Sequence, residues 1–93
     1  MLTDLLRLTA REAVSLLKAG KVSPQELIDA SLKRIAAVEP AVNALPTLCP
    51  QRARAAAQQL NRAEADHPGW LAGLPIAIKD LTEVKGVRTT FGS

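Results

Sequence analysis

Trp70 and Phe91 are the only aromatic residues in a chain of 93, and there is no tyrosine. That scarcity constrains the fold more than any other feature, because each buried aromatic brings about 150–250 Å² to a core. The hydrophobic share is an ordinary 47%, but alanine and leucine supply 30 residues of it, 16 and 14 respectively. A chain this short buries only roughly 60–65% of the surface that it exposes when unfolded. An alanine-dominated core is then a poor counterweight to the entropy of ordering the backbone. The sequence is expected to form one small unit at most, and to be a piece of a larger body rather than a finished domain.

Charge and cysteine content exclude several classes. The formal net charge is +3, and the basic residues are spread out: Arg7, Arg11, Lys18 and Lys21 early, Lys33 and Arg34 mid-chain, Arg52 and Arg54 later. Acidic residues separate these groups. A nucleic-acid surface needs clustered positive charge, usually with stacking aromatics, so no nucleic-acid partner is expected. Cys49 is the single cysteine, which precludes an internal disulfide and fits a reducing compartment. Asp4, Arg7, Arg11 and Glu12 interrupt any apolar leader of the secretory kind. The longest charge-free stretches, 40–51 and 67–78, have 12 residues each, against about 20 for a bilayer-spanning helix. A location in the cytoplasm, away from membranes, is the expectation.

The first half is punctuated as short helices. Thr9-Ala10-Arg11-Glu12 is a capping box, in which threonine and glutamate satisfy each other's backbone N–H groups. Ala10, Ala13, Val14 and Leu17 then line one helical face. Gly20 stands where a helix-ending glycine belongs, with Lys18 complementing the negative end of the dipole. Ser23-Pro24-Gln25-Glu26 repeats the start signal with proline at the first helical position, and Val22 and Leu27 have the spacing of a hydrophobic staple. That helix should carry Ile28, Leu32, Ile35 and Ala36 inward and run to about Glu39, where Pro40 stops it. Residues 40–50 hold three prolines and read as an extended connector. A third helix is expected over Gln51–Asp66, with Ala53, Ala56, Ala57, Leu60 and Ala63 as its stripe, ended by His67-Pro68-Gly69. Leu74–Ile78 reads as a short buried strand opened by Pro75. Lys85-Gly86 is a turn signal, and Val87–Phe91 has the pattern of a second short strand. The expected class is mainly α, about three helices, followed by one or two short β-strands.

Chemistry is concentrated at the end of the first of those strands. Strand alternation puts Ile76, Ile78 and Asp80 on one face and Ala77 and Lys79 on the other. A lysine continuing a buried apolar strand must be expelled to solvent, paired, or desolvated; the last state makes it a general base. On pattern alone, an ammonium reaching water along its aliphatic stem is the favoured reading. Other candidates are weaker. His67 and Cys49 lack ligand-spaced partners, so no metal site is expected. Glu64/Asp66 and Asp80/Glu83 read as solvated charges, and the five dispersed glycines make no phosphate loop. Trp70 reads as a plug at the helix-to-strand junction.

The longer string alters that balance. Gly73-Leu74-Pro75-Ile76-Ala77-Ile78-Lys79-Asp80, Val84-Lys85-Gly86-Val87 and Thr89-Thr90-Phe91-Gly92-Ser93 together closely resemble the start of the conserved region of the amidase signature family. So do Ser23-Pro24-x-Glu26-Leu27, Val42-Asn43-Ala44 and the alanine-rich helix before Gly73. Departures at Leu81-Thr82 and at Phe91 bear on substrate preference. The resemblance implies an α/β fold when complete, a mixed sheet covered by helices. Residues 1–69 would be the N-terminal helical layer, and 70–93 the first catalytic strand and its turn. It implies hydrolysis of a small-molecule carboxylic amide at the C–N bond through an acyl-enzyme, by a Ser–cis-Ser–Lys triad, with no metal or cofactor. Lys79 matches the catalytic lysine, which should be buried and hydrogen-bonded. Ser15, Ser23, Ser31 and Ser93 do not sit in the Gly-Gly-Ser-Ser-Gly type of string that carries the bridging serine, and Ser93 reads as a supporting residue. The chain would then be about the first fifth of an amidase, inactive alone. The family also has a branch in tRNA-dependent amidation, the glutamyl-tRNA amidotransferases; the absence of a basic face leans toward a stand-alone amidase. The alternative is non-catalytic: a truncated product that self-associates as a helical interaction module, burying a stripe such as Ile28/Leu32/Ile35.

Overall fold

A computed structural model describes residues 5–60 and 66–91. Among these it forms three helices: α1 Ala10–Lys18, α2 Pro24–Val42 and α3 Pro50–Gln58. The two capping boxes are both present. In α1 the Thr9 N–H donates to Glu12 Oε1 at 3.0 Å and the Glu12 N–H donates to Thr9 Oγ1 at 3.1 Å. In α2 the Ser23 and Glu26 pair repeats this at 3.1 Å in each direction. Each box satisfies two of the N–H groups that a helix start leaves without partners.

The Thr9 backbone and hydroxyl hold the Glu12 carboxyl below its ordinary value of 4.5. A lowered carboxyl strengthens the α1 cap above pH 4.5, and that contribution is lost as pH falls through the lowered value. NMR titration of the Glu12 carboxyl carbon in the folded protein should therefore give a midpoint under 4.5. A midpoint at or above that value would remove the reciprocal cap.

Gly20 ends α1 as expected. Its φ is +74°, its N–H donates to the Leu17 carbonyl at 3.2 Å, and the Lys21 N–H reaches the Leu16 carbonyl at 3.0 Å. This is the paired bonding of a Schellman motif, which needs a left-handed residue at this position.

Three expectations need correction. Pro40 does not stop α2, which continues to Val42. A proline this close to the end removes one hydrogen bond to the Ala36 carbonyl but meets only the last turn. The true stop is Asn43 at φ 51°, ψ 46°, whose N–H donates to the Glu39 carbonyl at 2.7 Å. Asparagine tolerates this left-handed conformation better than most residues. The Glu39 carboxylate then takes the N–H groups of Ala44 and Leu45 at 2.8 and 2.6 Å, fastening the connector to the helix end.

The third helix starts at Pro50, one residue early, and ends at Gln58 instead of Asp66. None of its residues is buried, and methyl side chains gain little from the faces they touch. Ala56 is exposed, Ala53, Ala57 and Leu60 are half-buried, and Ala63 lies outside the described residues. Two exposed polar contacts link α3 to α2: Arg54 pairs with Asp29 at 2.7 Å, and the Gln25 amide donates to the Arg54 carbonyl at 3.1 Å.

The third correction concerns the strands. No residue of 74–79 or of 87–91 is in a strand. A strand exists only by pairing its N–H and C=O groups with a neighbour, and no described segment lies alongside to pair with it. Ile76 and Ile78 are consequently 67% and 50% exposed rather than buried.

The core is correspondingly small. Ala13, Leu17, Leu27 and Ala72 form its buried centre, with Leu5, Leu8, Val14, Val22, Trp70 and Leu74 packed around them. Val22 and Trp70 both pack against the cluster that contains Leu27, so the staple residues share one core and Trp70 covers part of it. Ile28 is buried, while Leu32 and Ile35 are half-buried and Ala36 is exposed. The stripe expected to serve as a dimer face is therefore largely covered within the chain. The radius of gyration is 14.1 Å, against about 12 Å for a closely packed chain of this length.

Candidate functional site

The candidate site is the segment from Trp70 to Phe91, carried out from the core by a tight turn. The Leu74 N–H donates to the Leu71 carbonyl at 3.0 Å, and the two central residues, Ala72 and Gly73, have φ of 59° and 92°. Two successive positive values are the pattern of a type I′ turn. Ala72 lies in the core, and Gly73 passes so close to the start of α2 that a Cβ there would lie 2.6 Å from the Pro24 ring. The chain can make this passage only without a side chain.

From this anchor the backbone leads outward to Lys79. Its side chain is exposed, and its carbonyl accepts the Thr82 N–H at 2.9 Å, forming a turn immediately after it. Among the described residues the ammonium meets no acceptor. The buried, hydrogen-bonded placement that catalysis by this lysine requires is thus not made within these residues. In the same segment the apolar Ile76, Ile78, Leu81 and Phe91 are each at least half exposed.

Asp80 is the residue that sequence reasoning misses. It is half-buried, not a solvated charge. Its Oδ1 accepts the Thr90 N–H at 2.8 Å and its Oδ2 accepts the Thr90 hydroxyl. The pair closes residues 80–90 into a loop with its ends together, a form common at functional sites. Within the loop the Val87 N–H donates to the Val84 carbonyl at 3.0 Å, with Gly86 at φ 80°, so the Lys85-Gly86 turn signal holds. An acid and a threonine flanking a turn-bearing segment were the available signal for this closure.

The remaining candidates do not converge on Lys79. Ser23 is committed to the α2 cap, and Ser93 and Glu64 lie outside the described residues. The His67 Nδ1 accepts the Gly69 N–H at 2.9 Å, and Cys49 is a free, exposed thiol. Among the described residues no three histidine, cysteine, aspartate or glutamate side chains gather as they would around a metal ion. Nor is any described helix long and apolar enough to cross a membrane.

Comparison with known proteins decides the family. The Amidase family model matches residues 26–93, which takes in most of α2, all of α3 and the whole Lys79 segment. The chain belongs to the amidase family. Among its relatives, a glutamyl-tRNA(Gln) amidotransferase subunit from Dehalococcoides mccartyi is 42% identical over 99% of this chain and 19% of its own length. The protein of that name from Roseiflexus sp. is 44% identical over the same shares. That from Synechococcus sp. is 47% identical over 83% of this chain and 16% of its own length. No solved structure matches. The chain therefore spans about a fifth of the length of the curated relatives it matches. An amidase-family chain fits the amidase-signature fold, while the described residues contribute its helices and not a strand.

Proposed function

We propose that this chain carries the base-bearing segment of an enzyme that cleaves the C–N bond of a carboxylic amide, with Lys79 as the catalytic base. The observation that supports the reading most is the family match across 26–93, which contains Lys79 in the string Pro75-Ile76-Ala77-Ile78-Lys79-Asp80. In a Ser–cis-Ser–Lys triad the neutral lysine amine takes a proton from the bridging serine, which takes one from the nucleophilic serine. The freed oxygen attacks the amide carbonyl carbon. The proton then returns through the same relay to the departing nitrogen, and water hydrolyses the acyl-enzyme.

Lysine can accept a proton only in its neutral form, which desolvation favours. Ile76, Ile78, Leu81 and Phe91 are exposed here, apolar surface that would exclude water once the rest of an α/β amidase domain lay against it. In that arrangement residues 1–69 are the helical layer and 70–93 the segment that joins the sheet. No cofactor or metal is assigned to the site.

The relatives' names favour the amidotransferase branch over the stand-alone amidase that the spread of charge suggested. Their names refer to glutamyl-tRNA(Gln). The dispersed basic residues of this chain fit amide chemistry better than RNA contact, and its lone cysteine fits a cytoplasmic location. The non-catalytic reading, a self-associating interaction module, relies on Ile28, Leu32 and Ile35, of which Ile28 is buried and the other two are half-buried within the chain.

One experiment separates them. The full-length protein carrying these residues should convert acetamide, benzamide or glutamine to the hydroxamate in the presence of hydroxylamine, through an acyl-enzyme. The 93-residue polypeptide should form no hydroxamate and should self-associate in sedimentation. Absence of hydroxamate from the full-length protein with every probe would contradict the enzymatic reading.

A further inference from the structure

We propose that Asp80 is a positioning residue for Lys79: by gripping Thr90 it closes the 80–90 loop and fixes the backbone from which the lysine extends. The inference rests on the reading of Lys79 as base, and adds to it the residue pair that aims that base.

Two observations carry it. Asp80 follows Lys79 directly, so any restraint on the Asp80 side chain limits where the Lys79 Cα can lie. Its carboxylate engages Thr90 twice, through the backbone N–H at 2.8 Å and through the hydroxyl. A carboxylate with both oxygens engaged is held in position and in rotation, as a single bond would not hold it. Here the inner turn from Lys79 to Thr82, at 2.9 Å, shapes the loop locally, and the Asp80–Thr90 pair ties it across ten positions.

The clamp is also placed where it can act on the segment's apolar surface. Thr90 immediately precedes Phe91, whose φ is 55° and whose ring is 60% exposed. Drawing Thr90 to Asp80 therefore brings Phe91 to the neck of the loop, beside the lysine segment. Base and apolar cover are held by one pair of side chains. A base displaced by about 1 Å costs on the order of 10²-fold in rate, which is the scale of effect to expect.

The test uses the full-length protein, with ammonia release measured on whichever of acetamide, benzamide and glutamine is turned over fastest. Thr90→Val and Asp80→Ala should each lower kcat by about 10- to 100-fold with KM within about twofold. Thr90→Ser, which keeps the hydroxyl, should restore kcat to within about threefold. The double variant Asp80→Ala/Thr90→Val should fall little further than Asp80→Ala alone, because both changes break the same link. Should Asp80→Ala fail to accumulate as folded protein, Thr90→Val decides alone, since it leaves the backbone bond in place.

Unchanged kcat in Thr90→Val and Asp80→Ala, in a protein that Lys79→Arg inactivates, overturns the clamp and leaves the base standing. Losses that appear in KM and in the melting midpoint instead of kcat overturn it too, as marks of a purely structural role. Full kcat in Lys79→Arg, or no turnover of any probe by the wild type, overturns the reading of the base and the clamp with it.

Discussion

Replacing Lys79 by arginine in the full-length protein is expected to lower kcat for amide hydrolysis by at least about 10³-fold in a protein that still folds. Arginine keeps the length and the positive charge, but its guanidinium is never deprotonated under ordinary conditions and cannot accept a proton. The substitution therefore removes the one property that base catalysis needs and preserves those that a surface charge or a docking contact would use. Ammonia release by wild type and variant, with melting curves for both, checks this. Retention of activity would show that Lys79 serves charge alone.

Among the described glycines, Gly73→Ala should be the most damaging methyl addition, costing about 3 kcal/mol in equilibrium denaturation of the full-length protein. Two causes add. The backbone sits at φ 92°, where a side chain is strained, by about 1–2 kcal/mol for L-residues in the left-handed region. The new Cβ would also fall 2.6 and 2.8 Å from Cγ and Cβ of Pro24 and 2.8 Å from Leu60 Cδ1. The leucine tip can rotate aside. The proline ring cannot, because it opens α2 inside a capping box that holds the helix start. Relief then requires the Leu71–Leu74 turn to move, and with it the segment leading to Lys79. The neighbouring Ala72→Gly is the contrasting control. It relieves a φ of 59° while losing one buried methyl, so the two effects should cancel to within about 1 kcal/mol. A loss below about 0.5 kcal/mol for Gly73→Ala would mean that the turn does not press against α2.

Local chemistry is legible in the sequence and long-range pairing is not. Thr9, Gly20 and Ser23 announce helix ends because their hydrogen bonds close within about five residues, and the structure forms each of them. Pro40 misleads because its effect depends on how many turns follow it, and Asn43 with Glu39 supplies a later stop. The third helix is shorter than its sequence suggests because alanine spacing indicates a face but not whether anything covers it. The strand expected at 74–78 is absent for a related reason: isoleucine-rich stretches suit sheets, but pairing depends on a neighbour that the described residues do not provide.

The site shows the same division. Lys79 stands out through its resemblance to a family string, and no periodicity would distinguish it from a solvated lysine. Asp80 looks solvated in the sequence because its partner lies ten positions away. Its role becomes visible only with the loop closed. The exposed Ile76, Ile78, Leu81 and Phe91 explain why the sequence suggests burial where the described chain has none. Their hydrophobicity belongs to a surface that the described residues do not cover.

Catalysis by Lys79 requires a proton acceptor in a water-free cavity, and an experimental structure of the full-length protein tests that most directly. It should show the Lys79 Nζ about 3 Å from a serine Oγ, with Ile76, Ile78 and Leu81 packed under the rest of the domain. An Nζ standing in open solvent in that structure, with no serine within reach, would contradict it.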